Sequence, residues 1–415
     1  MRFEAVEHRA DGSLGTARYE VDGSTQGGWR LRRDDSPYLE VGAGFRLLRT
    51  SHCGVCSTDL ARHHLPFPLP QVTGHEIVAR DDDGRLVAIE INASHAARAL
   101  PTHDWCALCR TGLPSHCPDR LVLGIHALPG GFSPWVLAPV DAVVLLPDAL
   151  DPLEATLLEP FAAAWHAVQT IAPDDGDVVA VLGVGRLGSL LVAALRAQRE
   201  RGGGRCEIVA VARGAAAARA RALGADRVLP VDEALRVGRM ADVVIESTGV
   251  PEGLVLALGL ARREVHLKST TGRPAGGLTH ATELVVDELR LVPAHVTLRG
   301  APIAASLAEI DAAIRPDPGF ERSLVGPRGA IAVAAHPGET EPLLHAVGGL
   351  GMCVTSSRCG DFRDALAPFA WLAARPERPL RSLITHVLPA ARLAEGYATA
   401  SRPDAVKVVM QHDVA

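Results

Sequence analysis

The chain has 415 residues, 47% hydrophobic and 22% charged, with a formal net charge of −6. That length exceeds one ordinary core and calls for two domains of a soluble globular protein. The acidic balance offers nucleic acid or an anionic membrane nothing to hold, and no apolar stretch in the sequence is long enough to cross a bilayer.

The first segment, MRFEAVEHRADG, has no apolar core of a secretory signal. Of the eight cysteines, Cys106, Cys109 and Cys117 cluster, whereas Cys206, Cys353 and Cys359 are scattered. That usage speaks against a disulfide framework, and a cytoplasmic protein is expected. Up to about residue 170, Gly, Pro and short apolar runs such as Val136–Ala138 and Ala142–Leu146 predict an antiparallel β domain with ligand-bearing loops. Within it stand Cys56 in Gly54-Val55-Cys56-Ser57-Thr58-Asp59, His75 and Glu76 in Gly74-His75-Glu76, and Glu159 in Leu158-Glu159-Pro160. A thiolate, an imidazole and a carboxylate can hold a divalent metal and leave one position open for water or substrate. His103, Cys106, Cys109 and Cys117 follow the spacing H-x2-C-x2-C-x7-C. Four such ligands can close a tetrahedral shell and hold a loop.

From Asp177 the pattern changes. Asp177–Leu182 reads as a buried strand, followed by Gly183-Val184-Gly185-Arg186-Leu187-Gly188 and by Leu187, Leu190, Leu191, Ala194 and Leu195 at helical spacing. Strands at Glu207–Val211, Asp242–Ile245 and Glu264–Leu267, with an Ala/Arg helix to Leu223 and another over Pro251–Arg262, complete an α/β pattern with a doubly wound parallel sheet. In that setting the glycine run is a dinucleotide fingerprint. Gly183 permits the tight turn, Gly185 lets the backbone approach a pyrophosphate, and Gly188 allows helix to pack on strand. Arg186 and Leu187 open the helix whose N-terminus offers N–H groups to the phosphates. A strand that binds NAD ends on a carboxylate, but Val209-Ala210-Val211-Ala212-Arg213-Gly214 has none. Arg213 is therefore either a partner for a 2′-phosphate, which favours NADP over NAD, or a solvated loop charge. Beyond about Leu278 the reading has strand-like Leu284–Val286 and Ala330–Ala334, a helix-like Ile303–Ile314 and a turn over Arg315–Gly319. An amphipathic helix from Asp361 to Ala373 and a closing strand at Val406–Met410 follow.

The ligand contexts and the fingerprint, in this order, resemble the zinc-dependent medium-chain dehydrogenases/reductases of the alcohol, sorbitol and threonine dehydrogenase type, over most of residues 40–275 and again 356–410. The resemblance implies a GroES-like antiparallel β catalytic domain over 1–172 and 353–415, a Rossmann nucleotide-binding domain over 173–300, and an atypical insertion within 280–352. It implies catalytic zinc on Cys56, His75 and a third ligand, Glu159 favoured and Glu76 close behind, with Cys53 ranking after Cys56. It gives Thr58 the substrate hydroxyl and lets Asp59 orient His75. Many members carry a relay histidine five residues after the ligand cysteine. Ala61 stands there, and His63 or His64 either substitutes or forms a surface pair. In the second metal site, a structural zinc, His103 would replace one cysteine of a four-cysteine lobe. Thr248 in Glu246-Ser247-Thr248-Gly249 and Lys268 in Leu267-Lys268-Ser269-Thr270 end strands that flank the nicotinamide. Lys268 either contacts cofactor or substrate or is exposed. The implied activity is hydride transfer between NAD(P) and an alcohol or polyol, or the corresponding carbonyl, in a homodimer or homotetramer. Its partner is a small molecule, with no nucleic acid and no membrane. The rivals are a metal-free reductase of activated double bonds and a non-catalytic nucleotide-binding protein that retains the fold. The insertion is expected to modify oligomerisation or to cover the cleft.

Overall fold

The computed structural model describes residues 1–270, 272–296, 300–316, 323–336 and 338–412. The chain divides into two units, Met1–Glu159 with Phe362–Ala415, and Pro160–Asp361. The first boundary falls within the helix Leu158–Ile171.

In the first unit, alternation builds an antiparallel meander of Arg2–His8, Leu14–Ser24, Gly28–Arg33 and Ser36–Val41. Ala17, Tyr19 and Val21 are buried while Arg18 is exposed, the period of two that turns one face of a strand to the core. A second, seven-stranded sheet centres on Phe45–Gly54, which pairs antiparallel with Glu76–Arg80, Trp135–Pro139 and Lys407–Gln411. These pairings bring the Cys56 turn, the His75 loop and the C-terminal strand to one end of the sheet. The expected closing strand is thus present one residue further along, as Lys407–Gln411.

In the second unit nine strands among the described residues form one sheet. Their order is Arg227–Leu229, Glu207–Val211, Val178–Leu182, Ala241–Glu246, Ala261–Leu267, Cys353–Ser356, Arg290–Pro293, Ala330–Val333, Ile303–Ala304. The first six are parallel to one another. Cys353–Ser356, expected to return to the catalytic domain, lies inside this sheet instead. Residues described within 280–352 supply three further strands of the same sheet. Arg290–Pro293 pairs antiparallel with Cys353–Ser356, and two further short strands follow it in parallel. Sheet pairing is decided by distant partners, which a local pattern does not contain.

Three local readings change. Leu284–Val286 belongs to a helix, Ala281–Val286, whose buried Ala281, Leu284 and Val285 follow helical spacing. A three-residue apolar window does not separate the two periods. Ile303–Ile314 splits into the strand Ile303–Ala304 and the helix Leu307–Ile314, where Ser306 caps the helix by accepting from Glu309 N–H at 3.3 Å. The helix expected over Pro251–Arg262 is Glu252–Leu260, because Ala261 and Arg262 already belong to the next strand. Of the turn expected at Arg315–Gly319, residues 317–319 lie outside the described residues. Among the described residues no helix is long and apolar enough to cross a membrane.

Candidate functional site

One buried carboxylate organises the first ligand set. Asp59, 1% exposed, sits in the helical turn Ser57–Leu60. Its Oδ2 accepts from Cys56 N–H at 2.8 Å and its Oδ1 from Gly74 N–H at 2.9 Å. The same Oδ1 lies 3.4 Å from Nδ1 of the buried His75. Asp59 therefore ties the cysteine turn to the histidine loop and turns the Nδ1 side of the ring toward itself. Burial works against the His75 imidazolium, but the charges of Asp59 and Cys56 prevail and raise its pKa well above the ordinary value. Glu159, near the start of the helix Leu158–Ile171, shares this field. Burial, tempered by His75 and reinforced by Glu76, pushes its carboxyl up to about 7. Thr58 stands beside them, its Oγ1 3.8 Å from Cys56 Sγ. Thiol, imidazole and carboxyl thus lie in one electrostatic neighbourhood, and their donor types suit zinc. Their ligand atoms do not converge as tightly as those of the cysteine lobe.

Glu76 does not fit the role expected of it. It is fully buried and pairs with Lys407 Nζ at 2.5 and 2.6 Å. A carboxylate held by a buried ammonium is poorly placed as a metal ligand or proton carrier. The same side chain explains Gly54, where a Cβ would fall 1.9 Å from Glu76 Oε2. Cys53 is fully buried, its thiol pushed up mainly by burial, and it packs against Gly74 and Gly131. His63 and His64 are exposed, with ring centroids 3.7 Å apart.

The cysteine lobe is gathered, but its fourth member is His95. Ligand atoms of His95, Cys106, Cys109 and Cys117 all lie within 4.8 Å of one another. Among the described residues no other set of three or more such ligands converges this closely. His95 Nδ1 is 3.3 Å from Cys117 Sγ and 3.9 Å from Cys109 Sγ, and its Nε2 is 3.5 Å from Asp119 Oδ2. His103 instead lies in the turn Thr102–Asp104 with its side chain 79% exposed, 3.4 Å from Asp104. The cause is a two-residue ladder, Asn92–Ala93 on Leu121–Val122, which closes the base of the loop. It draws His95 and Cys117, the residues flanking it, to the same place and leaves His103 further out. Burial opposes the Cys106 thiolate, yet hydrogen bonds from Cys109 N–H, His95 and the neighbouring thiols lower its pKa to about 7. Cys117 is pushed up to about 12, chiefly by burial.

The glycine loop takes the expected form. Gly183 has φ +89°, and a Cβ there would lie 2.8 Å from Thr248 Cα. Gly188 is buried where a Cβ would fall 1.9 Å from Gly183 O, so only glycine lets the helix Arg186–Gly202 pack this closely. Gly185 precedes that helix with open space around it. Arg186 and Leu187, in the first turn, are half-buried. Arg213 is exposed just past Glu207–Val211, the strand beside the fingerprint strand. Thr248 Oγ1 donates to the buried Glu246 at 2.5 Å, which fixes the strand end against Gly183. Of the two readings of Lys268, exposure is overturned. It is buried and donates to Ser357 O at 2.8 Å, Ser357 Oγ at 3.2 Å and Arg358 O at 2.7 Å. Sequence reasoning also missed Arg219, which donates to Val184 O at 2.7 Å and Ser189 Oγ at 2.9 Å and so braces the loop. Its place in an Ala/Arg-rich helix gives no local sign of that.

The alcohol dehydrogenase GroES-like domain family matches residues 42–148. The chain is 33% identical over 166 residues to L-galactonate-5-dehydrogenase of Escherichia coli K12, covering 39% of this chain and 47% of that protein. It is 26% identical over 254 residues to sorbitol dehydrogenase of Bacillus subtilis 168, covering 56% of this chain and 69% of that one. The chain thus spans about half the length of the first of these relatives. In fold it matches a protein of Sinorhizobium meliloti 1021 assigned as a zinc-binding dehydrogenase and solved with NADP. There the TM-score is 0.62, the identity 20%, and the match covers 99% of each chain.

Proposed function

We propose that this alcohol dehydrogenase-like chain, with the fold of the medium-chain dehydrogenases, transfers a hydride between a nicotinamide cofactor and an alcohol or polyol, or the corresponding carbonyl. The observation that carries this reading is the Asp59 carboxylate that joins Cys56 to the His75 loop within the field of Glu159. A zinc ion on Cys56, His75 and Glu159 would polarise the substrate oxygen and lower the pKa of its hydroxyl. Thr58, beside Cys56 and half-buried, accepts the hydrogen bond of the substrate hydroxyl and, as it takes that proton, passes its own Oγ1 proton to solvent. Asp59 keeps the His75 ring in one orientation and the cysteine turn in register. In the other unit the glycine loop receives the pyrophosphate, and Arg213 meets a 2′-phosphate, which favours NADP. His95, Cys106, Cys109 and Cys117 would hold a second, structural zinc. Relatives named for a sugar acid and a sugar alcohol support a polyhydroxylated substrate. All eight cysteines are free, which fits a reducing cytoplasm.

Metal analysis, titration with NADPH and NADH, and turnover on a panel of alcohols and polyols test the reading together. Zinc in both sites, tighter binding of NADPH and turnover on a polyol are expected. Zinc in the lobe alone, with reduction of activated double bonds, would instead establish the metal-free reductase.

A further inference from the structure

A parallel sheet covered by helices is ordinarily apolar on both faces. Here one face of two adjacent strands carries a row of ionisable and hydroxyl side chains. Glu264, His266 and Lys268 alternate along and just past Ala261–Leu267, and Thr355 and Ser357 alternate along and just past the neighbouring strand Cys353–Ser356, with His266 directly opposite Thr355. The other face holds Val265, Leu267 and Val354, all buried.

The row is continuously hydrogen-bonded. Lys268 Nζ donates to Ser357 Oγ at 3.2 Å, Ser357 Oγ and His266 Nε2 are 2.8 Å apart, His266 Nδ1 and Thr355 Oγ1 are 2.8 Å apart, and Thr355 Oγ1 donates to Glu264 Oε1. The two ends and the burial of the ring between them decide the direction of the bonds. An ammonium can only donate and a carboxylate can only accept. Thr355, donating its one proton to Glu264, therefore accepts from His266 Nδ1–H. Full burial holds the pKa of His266 well below the ordinary value and keeps the ring neutral, so Nε2 accepts and Ser357 spends its one proton there.

We propose that Lys268, Ser357, His266, Thr355 and Glu264 form a proton relay that sets the charge of Lys268 at the nucleotide-binding edge of the sheet. One proton moves at each link. Lys268 Nζ gives one to Ser357 Oγ, Ser357 gives its own to His266 Nε2, His266 releases the Nδ1 proton to Thr355 Oγ1, and Thr355 gives its own to Glu264 Oε1. Ammonium and carboxylate become amine and carboxylic acid, no bond between heavy atoms changes, and no co-reactant is needed. Half-buried Glu264 is the end that exchanges with solvent. Burial raises its pKa, which brings the carboxylate closer to accepting a proton. Lys268 stands at the carboxyl end of its strand, the edge where open α/β sheets bind ligands. That edge is continuous with the fingerprint, since Leu182 pairs with Glu246 and Glu246 with Leu267. Arg263 and Asp177 flank the Glu264 end. Beyond Ser357, the backbone of Arg358 donates to Glu288, which also holds His166 and Arg328. His166 and Glu288 act on His266 as well.

The chain has only two lysines, Lys268 and Lys407. In protein labelled with [13Cε]lysine, two side-chain signals follow pH, and the Lys407 signal reports whether the fold holds. Glu264→Gln and Thr355→Val are each expected to raise the acid dissociation constant of Lys268 about tenfold, and the double variant to do no more than either alone. A Lys268 signal that Thr355→Val leaves unmoved, or effects that add in the double variant, would reduce the row to ordinary charge attraction and overturn the relay. 15N spectra of histidine in the unmutated chain give an independent check. His266 must carry its proton on Nδ1, and a proton on Nε2 or a charged ring would overturn the assignment. Only the relay's purpose at this edge rests on the proposed cofactor. The measurement uses the ligand-free chain, so its failure and a failure of cofactor binding remain distinct.

Discussion

The two candidate metal centres of the first unit are built on opposite plans. The cysteine lobe takes four ligands from one loop, closed at its base by the ladder of Asn92–Ala93 on Leu121–Val122. The Cys56, His75 and Glu159 set comes from a helical turn, a strand-entry loop and a helix start. It is held by side chains outside the proposed ligand set, above all Asp59. A closed shell can be supplied by local chain alone, whereas an open site must be kept in place by its surroundings.

The lobe offers the largest effect with which to break this comparison. His95→Ala is expected to empty the lobe of metal and to cost on the order of 4 kcal/mol or more of stability, while His103→Ala changes neither. Elemental analysis and denaturant unfolding read both. Equal metal loss in the two variants would return the fourth ligand to His103. Next comes the pair that neutralises Glu76. Glu76→Gln leaves the buried Lys407 ammonium without its carboxylate and is expected to cost about 3–5 kcal/mol with zinc content unchanged. A variant of normal stability that lacks zinc would restore Glu76 as a ligand.

Asp59→Asn sharpens the contrast from the other side. Metal binding at Cys56 and His75 is expected to weaken roughly 10–100-fold, with the lobe unaffected, in competition against a chelator. Equal weakening at both centres would show that Asp59 serves the whole fold. In the second unit, Arg213→Ser is expected to weaken NADPH binding about tenfold in a fluorescence titration and to leave NADH unchanged, since it removes one charge-assisted contact. The smallest effect is one of pH. Burial opposes the Glu288 carboxylate, but His166, the Arg358 N–H and Arg328 hold its pKa below the ordinary 4.5. Its contribution to stability is complete above that value and is lost as pH falls through the depressed one. Glu288→Gln should therefore flatten the acid limb of the stability curve, and an unchanged limb would mean that this carboxylate contributes nothing there.

Legibility followed the range over which each feature is decided. The fingerprint and the helix behind it were readable because turn, glycine spacing and apolar period all lie within a few residues. The three lobe cysteines were readable for the same reason, but His95 was hidden eleven positions before Cys106 and becomes a ligand only when a two-strand ladder closes. Glu76 misled because the partner of its charge lies far away in the chain, at Lys407, and the burial of Lys268 was hidden because its acceptors lie at Ser357–Arg358. The strands after Leu278 were hard to read because they are two to four residues long and take their register from one another.

Residue order alone determined the alternation of strands and helices, the phosphate-binding turn, and the kinds of atom on offer to a metal, because period and donor chemistry belong to short stretches of chain. Folding in three dimensions decided which histidine completes the lobe, that Glu76 is neutralised, and that a polar row crosses the sheet from Glu264 to Lys268. Each of these depends on which distant strands become neighbours, and that follows from burying the whole core together.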